Sequence, residues 1–203
     1  MKLYELAITP SCRRVDIFLK ELGVEIERET VNVREGENLT SAFKQISSNG
    51  KVPVLELDDG RHLCESVAIC RYIDSISPND KSLFGQTAFE QAQVEMWHRI
   101  VEWQGLIPLF QAVRNLTQVY KDRENCVPEW GEESKRRLVD FLPQVDQRLS
   151  ESHYLALGSL TIVDISAYVM IIFADQVLKL AVRENYSNIA AWLARLETRP
   201  SFQ

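Results

Sequence analysis

An acidic and a hydroxyl residue stand side by side at Glu65-Ser66, directly before residues with helical spacing. The start of a helix has backbone N–H groups without partners inside the helix, and it carries a partial positive charge. A carboxylate, a hydroxyl and such N–H groups suit a ligand whose ammonium and carboxylate lie close together. We therefore predict that Glu65 and Ser66 hold a zwitterionic peptide ligand. The alternative is that the pair only caps a helix.

A second distinctive segment lies upstream, where Pro53 follows Val52. Proline cannot donate to a sheet ladder, so Val-Pro at a strand start indicates a sheet edge, a turn or a cis bond. The Asp59-Gly60 pair between two apolar runs predicts a β-hairpin with strands in residues 52–57 and 61–64. This hairpin leads into a predicted helix over residues 66–76.

The composition and the net charge exclude several classes of function. A chain of 203 residues, 45% of them hydrophobic, can form one large domain or two small ones with a real core. Its formal charge of -6 argues against non-specific binding to nucleic acid or anionic membranes. We therefore interpret the basic runs 13–14 and 135–137 as solvated faces or ligand contacts. Residues 1–3 lead directly into a strand-like run, so we expect no leader. No apolar window reaches the roughly 18 residues of a membrane span.

The cysteine pattern favours a reduced, cytoplasmic protein without a metal site. The four cysteines form no CxxC motif and no metal-binding spacing, and they stand at Cys12, Cys64, Cys70 and Cys126. His62 and Cys64 share a predicted strand, but two ligands without further partners do not predict a metal site.

Hydrophobic periodicity predicts a first domain at residues 1–77, with element order βαβαββα. Its first strand is predicted at residues 3–8 and its first helix ends at Gly23. A second strand is predicted around residues 24–33 and a short helix at 38–46. The order implies a parallel first strand pair and an antiparallel second pair. Pro78 begins a predicted linker at residues 78–86.

Residues 87–203 are predicted to form an all-helical domain. An apolar stripe runs from Phe89 to Phe110, with a kink expected at Pro108. Further helices are predicted over residues 133–150, 165–173 and 189–196. Thr161 and Asp164 form a capping box before the apolar run that starts at residue 165.

The chain resembles the cytosolic glutathione transferases over essentially its whole length. The resemblance rests on Val-Pro before a hairpin, Glu-Ser after it and an all-helical second half. The resemblance implies a thioredoxin-like N-terminal domain and an all-helical C-terminal domain. It implies that Val52, before a cis Pro53, pairs with the cysteinyl part of glutathione. It further implies that Glu65 and Ser66 bind the γ-glutamyl end. Residues 48–53, which include Lys51, are similar to the family's approach to that proline, and the capping box corresponds to a folding element.

The resemblance also implies the chemistry, which is activation of the thiol of glutathione. Only the thiolate is nucleophilic, and lowering a thiol pKa by about two units requires roughly 2.7 kcal/mol of preferential stabilisation. Members of the serine/threonine-loop type place a hydroxyl between the first strand and first helix. Here Thr9 and Ser11 are equal candidates, and Ser11 is also a candidate glutathione contact. Cys12 is a third candidate thiol, whereas Tyr4 lies away from the loop, unlike in tyrosine-type classes.

The second substrate is expected between the domains, where Trp103, Ile107 and Phe110 could line a site for a small hydrophobic electrophile. The alternative is that they belong to a core or a dimer contact, which is the more usual role of aromatic residues at helical spacing. The resemblance implies glutathione as co-substrate, a detoxification role, a homodimer, and no metal, nucleotide, nucleic acid or membrane partner.

Three other functions stay open at this point. Cys12, or a disulfide of glutathione, could serve thiol–disulfide reductase or peroxidase chemistry. Some serine-loop classes isomerise double bonds of small acids with the help of glutathione. A transferase-like scaffold could instead bind ligands or regulate without catalysis, although such relatives often lack the glutathione-binding set.

Overall fold

The computed structural model describes residues 1–78 and 82–203, so residues 79–81 of the predicted linker lie outside the described residues. The chain divides into two compact units, Met1–Leu83 together with Pro200–Gln203, and Phe84–Arg199. The domain limits predicted from the sequence are residues 1–77 and 87–203, and they stay a prediction. Within the described ranges, every helix is too short or too polar to span a bilayer.

The first unit is built on a four-stranded sheet, and its strands are β1 (Lys2–Glu5), β2 (Glu27–Thr30), β3 (Val54–Glu56) and β4 (His62–Cys64). The strand order is β2-β1-β3-β4. β1 pairs with β2 in parallel, whereas β3 is antiparallel to both β1 and β4. The predicted parallel first pair and antiparallel second pair are therefore confirmed.

The second strand differs from its prediction. β2 contains only Glu27–Thr30, and all four of its residues are exposed. Val31, one position beyond the strand, is buried together with Phe43 and Val54. β2 is an edge strand with a single neighbour, so backbone pairing defines it and the apolar side chains lie outside it. The predicted second strand around residues 24–33 is therefore present, but it is shorter than predicted at both ends.

The helices of the first unit begin and end close to the predicted positions. They are α1 (Pro10–Leu22), α2 (Ser41–Ile46) and α3 (Ser66–Ile76), with a 3₁₀ turn at Glu37–Leu39 before α2. Proline occupies the first position of α1, and Gly23 ends it with a left-handed φ of 65°. A 3₁₀ turn at Pro200–Phe202 packs on α1, where Arg13 Nη2 donates to the Phe202 carbonyl at 2.9 Å.

The second unit is helical, as expected. Its helices are α4 (Ala88–Val101), α5 (Ile107–Thr117), α6 (Pro128–Glu151), α7 (Ile162–Phe173), α8 (Val182–Asn185) and α9 (Ser187–Glu197). The interruption expected at Pro108 takes the form of a π-helical segment, Glu102–Leu106, between α4 and α5. Proline lacks the N–H that would bond one turn back, so the turn before it widens. A second π segment, Ala174–Leu178, follows α7.

Gly105 explains how the first π segment packs. A Cβ at this position would lie 2.2 Å from Met170 Sδ and 3.2 Å from Phe141. Only glycine therefore allows the segment to approach α6 and α7 so closely. The fully buried Trp192 of α9 belongs to the same unit.

Candidate functional site

Three segments of the first unit meet at one end of its sheet. Tyr4 pairs with Val54 and Val54 pairs with Cys64, so the end of β1, the start of β3 and the end of β4 lie side by side. The loop after β1 ends at Thr9, and Ser11 lies in the first turn of α1. Val52-Pro53 comes before β3. Glu65-Ser66 follows β4. The three segments predicted from the sequence are therefore neighbours in space.

The Val52-Pro53 bond is cis. The sequence left an edge, a turn or a cis bond open, and the resemblance implied the last. Pro53 is buried and Val52 is half-buried, whereas the neighbouring Lys51 is exposed. The Lys51 backbone N–H donates to Ser47 Oγ at 3.0 Å, which ties the approach to the cis bond into its own loop.

Glu65 starts α3 in an unusual backbone conformation. Its φ is 68° and its ψ is 115°, and its side chain makes no capping bond to the helix. An L-residue with positive φ is strained by about 1–3 kcal/mol and is held there by its surroundings. The Glu65 side chain is exposed and its Oε1 accepts a hydrogen bond from Asn49 Nδ2 at 2.7 Å. Its carboxylate is therefore directed by a neighbouring loop and not by its own helix.

Ser66 occupies the first position of α3 and is buried. Its Oγ accepts a hydrogen bond from Arg14 Nη1 at 2.6 Å. The first N–H groups of α3 have no acceptor inside the helix, so they add donors and positive potential at the same place. An exposed carboxylate and a set of anion-binding donors thus stand next to each other, as the predicted zwitterionic ligand requires.

The start of α1 offers two hydroxyl groups. Thr9 is the N-cap, but its Oγ1 donates to the Leu6 carbonyl at 2.9 Å and does not cap the helix. The half-buried Ser11 follows Pro10, and its hydroxyl makes no hydrogen bond within residues 1–78 and 82–203. The Ser11 N–H has no acceptor inside the helix. The two candidates therefore differ, because one hydroxyl is engaged and the other is open.

Cys12 faces the interior. It is fully buried, and the Leu6 backbone N–H donates to its Sγ at 3.4 Å. Burial raises the pKa of the Cys12 thiol, although the Thr9 side chain and the Leu6 N–H act in the opposite direction. A reactive cysteine needs an exposed, stabilised thiolate, and Cys12 has neither property.

The predicted electrophile residues lie in the second unit, around the first π segment. Trp103 is 66% exposed and Ile107 is 37% exposed, while Phe110 is half-buried. Gly105 packs the opposite side of this segment against the core, which leaves Trp103 and Ile107 outside it. Their role toward a second substrate remains a prediction.

Two residues at the site were missed by the sequence reasoning. The sequence predicts a solvated or ligand-contacting basic run at residues 13–14, yet Arg14 is buried with 5% exposure and bonds Ser66. It stands four positions before Phe18, on the apolar face of α1, and that position could have revealed its burial. Asn49, which bonds Glu65, gave no comparable signal because the two are joined only through the fold.

Comparison with known proteins agrees with this architecture. Residues 9–76 match the model for the N-terminal domain of glutathione S-transferases, and residues 128–195 match the model for the C-terminal domain. Glutathione S-transferase 2 of Saccharomyces cerevisiae is 30% identical over 99% of this chain and 87% of its own length.

Solved structures show the same relationship. A class Gtt2 glutathione S-transferase of Vibrio parahaemolyticus is 56% identical, with a TM-score of 0.89 over 100% of this chain and 96% of its own. Gtt2 of Saccharomyces cerevisiae is 30% identical, with a TM-score of 0.94 over 100% of this chain and 98% of its own. The chain therefore belongs to the glutathione S-transferase family of enzymes, and the fold predicted from the resemblance is confirmed. The serine/threonine-loop subtype stays a prediction.

Proposed function

We propose that this protein ionises the thiol of glutathione and directs it to the electrophilic carbon of a small hydrophobic compound. One observation carries the proposal. The hydroxyl-bearing start of α1, the cis Val52-Pro53 bond and the Glu65-Ser66 helix start converge at one end of the sheet. They offer partners for the thiol, the peptide backbone and the zwitterionic end of one tripeptide.

Each part of glutathione has a matching group. Glu65 pairs with the ammonium of the γ-glutamyl residue, and Ser66 with the N–H groups of α3 binds its carboxylate. The backbone of Val52, which precedes a proline that cannot donate, pairs with the cysteinyl residue. Exposed Lys51 adds positive charge next to it.

The start of α1 supplies the activation. A hydroxyl donor and the positive end of a helix stabilise a thiolate more than a thiol, which lowers the thiol pKa. Ser11 is the first choice for this donor because its hydroxyl is open, whereas the hydroxyl of Thr9 would have to leave the Leu6 carbonyl. Alanine at each position in turn, with the thiolate followed by ultraviolet absorbance against pH, distinguishes the two.

Conjugation is favoured over reductase chemistry by the environment of Cys12. Its burial and raised pKa oppose attack by this thiol on a disulfide or peroxide. Cys12→Ser should therefore leave conjugation of an activated chloroarene unchanged within about twofold, since no step uses this sulfur. Trp103 and Ile107 present exposed apolar surface for such a substrate.

Isothermal calorimetry with reduced glutathione tests the proposal. The native chain should bind, and Glu65→Ala/Ser66→Ala should lose at least about 100-fold in affinity, because two charge-assisted contacts are removed. Thr87→Ala/Glu90→Ala is the matched control. It removes another acid and hydroxyl at a helix start, the capping box of α4, and should leave affinity unchanged.

Absence of binding by the native chain up to millimolar glutathione would favour the non-catalytic scaffold. Binding without turnover of any electrophile would favour the same alternative. The homodimer and the cytoplasmic location implied by the resemblance stay predictions, which analytical ultracentrifugation and cell fractionation address.

A further inference from the structure

Arg14 is a charged residue inside the first unit. It lies in the second turn of α1 and is 5% exposed, next to the buried residues Val15, Ile17 and Phe18. Burying a guanidinium is costly unless its N–H groups are hydrogen-bonded, and arginine is rarely buried without a partner. Its Nη1 donates to Ser66 Oγ at 2.6 Å, across 52 positions of sequence. The contact joins the start of α1 to the start of α3.

The direction of this bond determines what Ser66 can do. A serine hydroxyl has one hydrogen to donate and two lone pairs, whereas a guanidinium can only donate. Arg14 therefore occupies a lone pair of Ser66, and the Ser66 hydrogen must point to another acceptor. Serine hydroxyls otherwise rotate freely, and many bond back to the local backbone.

Neighbouring Arg13 carries the same charge but has other partners, so charge alone does not explain why Arg14 is buried. The Arg13 guanidinium is bonded to Asp16 at 2.7 Å and to the carbonyls of Phe202 and Gln203. Two consecutive arginines of one helix thus have different partners, and only Arg14 reaches α3. The buried positive charge also adds to the potential at the start of α3, in surroundings that screen it weakly.

We propose that Arg14 is a positioning residue of the glutathione site. It holds Ser66 Oγ as an acceptor, so that Ser66 donates its hydrogen to the carboxylate of the γ-glutamyl residue. The inference rests on the proposed function, because it assigns a task within that binding site. Arg14 acts through Ser66 and through its charge.

Two ligands separate this role from simple support of the fold. Reduced glutathione has the carboxylate, and γ-aminobutanoyl-cysteinylglycine lacks only that group. Arg14→Gln should weaken binding of glutathione about tenfold or more, since it removes an orienting bond and a charge. The same variant should change binding of the analogue less than about twofold. Ser66→Ala should show the same pattern, and the double variant should lose no more than the larger single effect.

Arg13→Gln is the matched control, with the same charge removed from the adjacent position, and it should not discriminate between the ligands. If Arg14→Gln fails to fold, Arg14→Lys keeps the charge without the planar fork and should lose about threefold for glutathione only. Equal losses for both ligands, or full affinity for glutathione, would overturn the inference while native binding still supports the proposed function. A native chain that binds neither ligand would overturn both.

Discussion

The starts of α3 and α7 use the same residue types in different ways. At α7, Asp164 is fully buried and accepts hydrogen bonds from the Thr161 N–H at 3.0 Å, the Leu155 N–H at 2.9 Å and Trp192 Nε1 at 3.2 Å. At α3, Glu65 is exposed, has positive φ and forms no capping bond. One acid is satisfied by its own unit, while the other faces solvent.

We expect this difference to separate a folding element at α7 from the proposed ligand site at α3. A carboxylate whose acceptor positions are filled by buried donors stabilises the folded chain and has little left for a ligand. A carboxylate in a strained backbone position, held by one loop contact, contributes little to folding and keeps its charge for a partner. The following predictions test this division, beginning with the largest effect.

Asp164→Ala should destabilise the protein by at least about 3 kcal/mol, because several buried donors lose their acceptor at once. Glu65→Ala should change the free energy of unfolding by less than about 1 kcal/mol, since Glu65 is exposed. Urea unfolding followed by circular dichroism measures both. Similar losses for the two variants would show that Glu65 is also a folding cap, and the proposed division would be wrong.

The pH dependence of stability gives a second test. Burial raises the pKa of Asp164 from 3.8 to about 6, despite four donors that act in the opposite direction. The folded state therefore binds this proton more tightly than the unfolded state. The stabilisation from this group is present below pH of about 4 and is lost as the pH rises through about 6.

Relative to Asp164→Asn, the native chain should lose up to about 3 kcal/mol of stability between pH of about 4 and about 7, and nothing more above that. Urea unfolding at several pH values measures the difference. A difference that grows in the opposite direction would mean that the donors to the carboxylate outweigh its burial.

Glycine at position 65 tests the strain at the start of α3. Glu65→Gly removes the Cβ that makes a φ of 68° unfavourable, so it should be more stable than Glu65→Ala by about 1 kcal/mol. Both variants lack the carboxylate and should bind glutathione equally weakly. Thermal and urea unfolding of the two variants measure how much the backbone conformation at residue 65 contributes to stability. Equal stability would show that this conformation carries no strain.

Most of the fold could be predicted because its signals are local in sequence. Gly23 ends α1, Asp59-Gly60 turns the hairpin, and the Thr161 box starts α7. The bounds of the edge strand β2 could not be predicted, because its exposed residues follow backbone pairing and the apolar residues that indicated a strand lie outside it. The capping box of Thr87 and Glu90 at the start of α4 has the same local spacing, a hydroxyl residue followed three positions later by an acid.

The candidate site divides in the same way. Val52-Pro53 and Glu65-Ser66 are adjacent pairs, so the sequence alone suggests a chemistry for each, and the cis bond at Val52-Pro53 is present. Arg14 and Asn49 contact this set only because the fold brings distant positions together, and no spacing rule predicts such pairs. The engaged hydroxyl of Thr9 and the open one of Ser11 likewise depend on where the Leu6 carbonyl lies.

Asn49 allows the smallest and most specific test of the comparison. Its Nδ2 donates to Glu65 Oε1, and its Oδ1 accepts from the Lys51 N–H at 3.1 Å, so it links the loop before the cis bond to the Glu65 carboxylate. Asn49→Ala should weaken glutathione binding about threefold to fivefold, because Glu65 then samples more rotamers before it meets the ammonium. Unfolding stability should change by less than about 1 kcal/mol, as expected for an exposed side chain.

A double-mutant cycle with Glu65→Ala decides whether Asn49 acts through Glu65. In the Glu65→Ala background, Asn49→Ala should have no further effect on calorimetric affinity, since the carboxylate it orients is gone. An additive loss would place Asn49 in direct contact with the ligand.

The two helix starts therefore differ in what a substitution can change. At α7 the donors that orient the acid also stabilise the fold, so a variant that disturbs this acid destabilises the protein. At α3 the orienting group lies in a separate, exposed loop, and function can change while stability is kept.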